Sequence, residues 1–229
     1  ACVESRLWMR QDVRIALDVM GGDHGATVTV PGAARALSRL PGATFSMFGD
    51  EAVIAPLLAA HPELKAATRL THSPVAVKMG DKPSQALRQG RRVSSMWMAV
   101  EAVKNGEAAL AVSAGNTGAV MATAKMIQGM IRGVQRPALA SAFPTLKGTP
   151  VVVVDVGANV DSTPTMLAQF AVMGEIYSRI IFHNRSPRVG LLSIGEEEHK
   201  GNELTKAATP LLKALPLNFI GNVEGRDLF

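Results

Sequence analysis

Leu110-Ala111-Val112-Ser113-Ala114-Gly115-Asn116-Thr117-Gly118-Ala119-Val120-Met121 is the stretch on which the reading of the fold turns. Its first residues form a short apolar run suited to a buried parallel strand. Ser113 to Gly118 are all small or turn-forming. An Ala/Met/Lys-rich segment of good helix propensity then begins, with Asn116 or Thr117 at the N-cap. Strand, tight turn, helix is an order that aims backbone N–H groups and the positive end of a helix dipole at whatever occupies the turn. An anion such as phosphate suits that position. Close helix–strand packing also calls for small residues, so this turn carries weight only with others like it.

Three such turns lie elsewhere. Leu17-Asp18-Val19 runs into Met20-Gly21-Gly22-Asp23-His24-Gly25. Four valines, 151–154, run into Asp155-Val156-Gly157-Ala158-Asn159-Val160-Asp161. A strand over 189–194 ends in Gly195-Glu196-Glu197-Glu198-His199-Lys200-Gly201-Asn202. Further strands are expected over 44–48, 68–71, 139–142 and from Asn218, with helices over 28–40, 51–60, 94–104, 118–131, 164–181 and 203–214. Alternation of this kind predicts an α/β fold, a three-layer, mostly parallel sheet with helices on both faces. In open sheets of this type ligands bind beyond the carboxyl ends of the strands, where all four turns would gather.

The rest of the sequence bounds the chemistry. The chain has 229 residues, 47% hydrophobic and 19% charged, enough for a sizeable core. Its one cysteine, Cys2, excludes a disulfide framework or a cysteine-based zinc site and makes the cytosol the default compartment. The five histidines are scattered without metal-ligand spacing. Asp155, Asp161 and the acidic run 196–198 read as caps or solvated charge rather than as a Mg²⁺ site. No Gly-x-Gly-x-x-Gly fingerprint, phosphate-loop lysine or Gly-x-Ser-x-Gly elbow is present. The net charge of +5 is a mild excess suited to an acidic partner. It concentrates in 73–92, where Lys78, Lys82, Arg88, Arg91 and Arg92 face one acid, Asp81. That stretch reads as an exposed, mobile excursion holding one short helix. Lys200, in a Gly-flanked turn before a helix, is the cation best placed to meet a bound anion or a developing oxyanion. A surface lysine answering the neighbouring glutamates is an equal reading of the same residues.

Taken jointly, Leu17 to His24, Ser94-Ser95-Met96, Ser113 to Ala119, Arg136-Pro137-Ala138, Asp155 to Asp161, Gly195 to Lys206 and Gly221 to Glu224 resemble the bacterial phosphate acyltransferases of phospholipid synthesis, the PlsX family. The resemblance runs from Val13 onwards. It implies a Rossmann-like fold of the isocitrate/isopropylmalate dehydrogenase type and transfer of an acyl chain from acyl carrier protein to inorganic phosphate. It also implies a homodimer, peripheral membrane association at the inner face, no cofactor, no metal and no nucleic acid.

The site expected on this basis has Lys200 as catalytic residue. The phosphate and substrate site would comprise Asp18, Gly21, Gly22, Asp23, His24, Ser113, Gly115, Asn116, Thr117, Asp155, Asn159, Asp161 and Asn202. Arg88, Arg91 and Arg92 are the residues expected to dock the carrier. Residues 1–12 read as a leader outside the fold, and 13–229 as one α/β domain. The family's pattern runs on past Phe229 to a further Gly/Asn-rich turn and the segment tied to membrane contact, so an incomplete C-terminal end is expected. Two other readings stand beside this one. One is an inactive phosphoanion-binding or dimerisation fragment; the other is an NAD-type dehydrogenase, disfavoured by the absent glycine fingerprint.

Overall fold

The computed structural model describes residues 13–159, 161–197 and 200–229. The expected leader, Val160, Glu198 and His199 lie outside the described residues. The chain divides into two compact units, the first ending at Gly129 and the second running from Met130 to Phe229.

In the first unit, β1 (Arg14–Asp18), β2 (Thr44–Gly49), β3 (Thr68–His72) and β4 (Leu110–Ser113) form one sheet in the order β3-β2-β1-β4. Every neighbouring pair is parallel. Because side chains alternate along a strand, Ile15, Leu17, Phe45 and Met47 share one face. They pack there with Val30 and Ala33 of α1 (Ala26–Arg39), Ile54 and Leu58 of α2 (Glu51–Ala59) and Leu64 of α3 (Pro62–Ala66). Ala16 and Phe48 point to the other face, against Ala99 and Ala102 of α5 (Ser95–Lys104). Helices therefore cover both faces of a parallel sheet. Burial of a side chain such as Met47 or Ile54, both fully enclosed, contributes roughly 1.5–3 kcal/mol.

The basic excursion holds the one short helix expected of it, but that helix is docked on its neighbours rather than standing clear of them. Its helix α4 (Pro83–Gly90) buries Ala86, which joins Val77, Met96 and Ala119 in a small core against α6 (Thr117–Gln128). The Ser73 hydroxyl donates to the Val93 carbonyl at 2.7 Å, and Val75 bridges to Ser94. The physical reason is that the few apolar residues of this stretch are spaced to face inwards while its cations face out.

In the second unit, β5 (Ala140–Phe143) and β6 (Val151–Val154) pair antiparallel, the exception to an otherwise parallel set. β7 (Arg188–Leu192) and β8 (Asn218–Val223) pair parallel, with an irregularity after Val189. Gly221 and Asn222 lie inside β8. Leu191 packs with Ala208 and Leu212 of α8 (Glu203–Lys213) and with Leu167, Ala168 and Ala171 of α7 (Pro164–Ile181). Gly174 of α7 lies so near β6 that a methyl group there would sit 2.9 Å from Val154. A 3-10 turn, Gly225–Leu228, follows β8.

Candidate functional site

The first unit brings the turns after β1 and β4 into contact. Parallel register sets Asp18 beside Ser113, so the two chains leave the sheet side by side. A methyl group on Gly21 would lie 2.7 Å from Asp18 Oδ2 and 2.9 Å from the Gly115 amide nitrogen. Gly22 has φ 86°, and a methyl there would press on the Ala114 carbonyl at 3.0 Å. Only glycine allows both that backbone and that approach. Gly21, Gly22, Ser113, Gly115 and Asn116 therefore sit together at the carboxyl edge, with Asp23 and His24 exposed on the way into α1 and Thr117 exposed as the first residue of α6. The α1 N-terminus has Gly25 as its cap, which makes no side-chain cap hydrogen bond.

Two of the expected ligands do structural work. Asn116 caps α6, its Oδ1 accepting from the Ala119 amide at 3.0 Å. Its Nδ2 donates to the carbonyls of Met79, at 2.7 Å, and Asp81, at 3.0 Å. Asn116 thus fastens the basic segment to the head of α6, and of the two possible caps it is the one used. Asp18 is 2% exposed and accepts the Ser113 hydroxyl at 2.6 Å. Burial raises its carboxyl above the ordinary carboxylate value, against the pull of Ser113, Ser95 and the amides of Met20 and Gly21. An inward-facing acid is a poor direct partner for an anion.

In the second unit, Asp155 organises its own turn. It has φ 66°, and its Oδ1 accepts from the Asn159 amide at 3.2 Å and from Asn159 Nδ2 at 2.8 Å. Its Oδ2 accepts the Ser162 hydroxyl at 3.2 Å, while Asn159 Nδ2 also donates to the Pro137 carbonyl at 3.1 Å. Asp161 is exposed beside it.

The turn after β7 places Lys200 at the surface, its amide donating to the Glu197 carbonyl at 2.9 Å. The stem of Lys200 lies over Gly195, where a methyl group would meet its Cγ at 3.0 Å. Asn202 caps α8 through Thr205, and Gly201 (φ 99°) is so enclosed that a Cβ would collide with Thr205 Oγ1. Glu196 is met by Arg226, Nη2 to Oε1 at 3.6 Å, and Arg226 also reaches Glu224 at 3.3 Å.

Three residues here escaped the reading of the sequence as site residues: Ser95, Asn222 and Arg226. Asn222 is buried inside β8 and donates through Nδ2 to the Glu197 carbonyl at 3.1 Å, which ties β8 to the lysine turn. Its signal was present in Gly221-Asn222, but a bulged strand and a turn look alike in such a dipeptide. Arg226 and Glu196 are thirty positions apart, with nothing local to link them. Arg88, Arg91 and Arg92 are exposed, and Arg92 has φ 63°. Among the described residues no group of three or more His, Cys, Asp or Glu is placed to hold a metal ion.

A family model described as "Fatty acid synthesis protein" matches residues 13–229. The chain belongs to this family. Among its curated relatives is a phosphate acyltransferase of Rhodopseudomonas palustris (strain BisB5), 54% identical over 220 residues, covering 95% of this chain and 62% of the relative. A phosphate acyltransferase of Nitrobacter hamburgensis is 51% identical over 220 residues, with the same 95% and 62% covered. The chain thus spans 62% of the length of these relatives.

Solved structures with the same fold are more distant in sequence. A phosphotransacetylase from Streptococcus pyogenes superposes with TM-score 0.63 at 16% identity, over 98% of this chain and 74% of that one. A branched-chain phosphotransacylase from Enterococcus faecalis V583 does so with TM-score 0.56 at 13% identity, over 93% and 68%. At that identity they support the mostly parallel α/β fold of this fatty acid synthesis family member and nothing finer. Among the described residues, no helix of this member is long and apolar enough to cross a membrane.

Proposed function

We propose that this chain carries the acyl-transfer site of a phosphate acyltransferase. It would transfer a fatty acyl group from acyl carrier protein to inorganic phosphate and give acyl phosphate for glycerophospholipid synthesis. The observation that carries the reading is the likeness to relatives named phosphate acyltransferase over 95% of this chain. The chemistry suits the residues. A phosphate oxygen attacks the thioester carbonyl carbon, the carbon–sulfur bond breaks, and the carrier's thiol leaves. The thioester is already activated and phosphate is itself the nucleophile, so the step calls for orientation and charge stabilisation rather than a protein nucleophile or cofactor. The glycine turns of the first unit offer backbone amides to a dianion. Lys200 offers a positive charge to phosphate and to the developing oxyanion.

The finer assignments belong to the same reading. The fold is of the isocitrate/isopropylmalate dehydrogenase type, residues 13–229 form one α/β acyltransferase domain, and the protein is a cytosolic homodimer that meets the inner face of the membrane peripherally. The exposed Arg88, Arg91 and Arg92 dock the acidic carrier. Replacing all three with Glu weakens carrier binding in a calorimetric titration. The loss tracks salt, because screening acts over about 8 Å at physiological ionic strength. Unchanged affinity returns these arginines to the solvated surface.

The central test assays the purified chain with acyl carrier protein thioester and phosphate. Lys200→Ala is expected to cut turnover by ~10²–10³, the scale of one oxyanion contact, with little change in melting temperature because the side chain is exposed. Lys200→Arg restores only part, since a planar fork does not reproduce a compact point charge. Near-normal turnover in Lys200→Ala removes the residue from the mechanism. Phosphate binding without any acyl phosphate formed favours the non-catalytic anion-binding reading.

A further inference from the structure

Among the described residues of the first unit Asp18 is the one strongly buried acid, and no cation is among the groups that act on it. A buried carboxylate without a counter-charge costs several kcal/mol unless hydrogen bonds surround it. Donors do surround this one. The Ser113 hydroxyl is bonded to Oδ2 at 2.6 Å. The Ser95 hydroxyl and the Met20 and Gly21 amides also lie near enough to favour the ionised group. Yet Oδ1 and Ser95 Oγ are both buried with no well-formed bond. So the carboxylate is held chiefly through Ser113.

The bond to Ser113 has a consequence beyond Asp18. A serine hydroxyl turns freely and both donates and accepts. An ionised carboxylate only accepts. Facing Asp18, the hydroxyl must spend its proton there, which turns its lone pairs outwards. One of them takes the Gly115 amide at 3.1 Å. Gly115 in turn lies against Gly21, 3.5 Å from a methyl position on Gly115 to the Gly21 Cα. A chain of contacts thus runs from the end of β1, through a hydroxyl on β4, to the two glycine turns.

We propose that Asp18 is the positioning residue of these turns: by fixing the Ser113 hydroxyl as a donor it locks the Gly21 and Gly115 backbones against each other and presets the cradle for an anion. The second half of this statement rests on the anion-binding reading of the turns given above. The role differs from that of a ligand. Asp18 acts through Ser113 and does not touch the anion.

The test uses the full chain with Ser113→Ala, Asp18→Ala, the double variant and Asp18→Asn, which keeps an acceptor for the hydroxyl. Two quantities are read: hydrogen exchange at the Gly21 and Gly115 amides, and affinity for inorganic phosphate by calorimetry. Ser113→Ala and Asp18→Ala are each expected to speed Gly115 exchange and weaken phosphate binding by about tenfold, the scale of one net hydrogen bond. The double variant is no worse than either single one, because both break the same link. Asp18→Asn restores most of the loss. Unchanged Gly115 exchange in Ser113→Ala overturns the proposal, and this variant is mild enough to stand if Asp18→Ala does not fold. Faster exchange with unchanged phosphate affinity overturns it as well, since the link is then structural only. If the unvaried chain binds no phosphate, the anion reading fails, and the exchange data alone decide whether Asp18 sets the turns.

Discussion

Asp18 and Asp155 each stand where a strand ends, and each accepts a serine hydroxyl, but they reach their partners by opposite routes. Asp155 is half-buried and bonds within its own turn, to Asn159 and Ser162, with Asn159 reaching on to the Pro137 carbonyl. Asp18 is buried and bonds across the sheet to Ser113, ninety-five positions away. The Asp155 turn is a local object that the chain builds from seven or eight residues. The Asp18 arrangement exists only once β1 and β4 are paired. The first tolerates change in its surroundings; the second ties two turns to one another and to the core of the sheet. A cradle for a ligand gains rigidity from the second kind of construction, since its shape is then coupled to the global fold rather than to local order.

Two glycines sharpen that difference. Gly22 and Gly157 have similar left-handed backbones, φ 86° and 74°, so strain from an added Cβ is nearly equal in the two. Their surroundings differ. A methyl group on Gly22 would press on the Ala114 backbone carbonyl at 3.0 Å, whereas Gly157 has nothing within 4 Å. Gly157→Ala is expected to cost only the left-handed penalty, roughly 1–2 kcal/mol. Gly22→Ala is expected to cost that plus a crowding increment of about 1–3 kcal/mol. Urea unfolding of the two variants measures both. Equal losses would show that the two turns of the first unit have slack between them, and the contrast with the Asp155 turn would disappear.

What could be read from the sequence follows the same division. The strand bounds Leu110–Ser113 and Val151–Val154 and the helix starts at Pro164 and Glu203 are each set by a few adjacent residues, and each is where the residues put it. The polar turns after β1, β4, β6 and β7 were legible for the same reason. The docking of α4 was not, because Val77, Ala86, Met96 and Ala119 meet from four separate stretches. Nor was the hydroxyl link from Ser113 to Asp18, or the pairing of Arg226 with Glu196. The antiparallel β5–β6 pair had a signal that went unused. The connection over 144–150 is too short for a parallel crossover, which takes a dozen residues or more. The single-turn helix α3 also had one, Pro62 at its first turn.

The smallest expected effect is the one most specific to Asp18, and it concerns pH. Burial disfavours the charged carboxyl, so the folded chain holds this proton more tightly than the unfolded chain does. Below the ordinary carboxylate range both forms are protonated, and the contribution to stability is fully present. As the pH rises past the ordinary value, the unfolded chain releases its proton first. The folded state then binds more protons than the unfolded state, and stability falls until the pH passes the raised native value. For one proton the slope is at most about 1.4 kcal/mol per pH unit. Other groups titrate over the same range, so the quantity to follow is a difference: the unfolding free energy of the native chain minus that of Asp18→Asn, which keeps the acceptor but cannot ionise. This difference is expected to fall with rising pH over the window from the ordinary carboxylate value to the raised one. A difference that rises with pH would mean that the donors around Asp18 outweigh its burial. The carboxylate would then be a well-satisfied anion, and its orphaned Oδ1 would have a partner in solution.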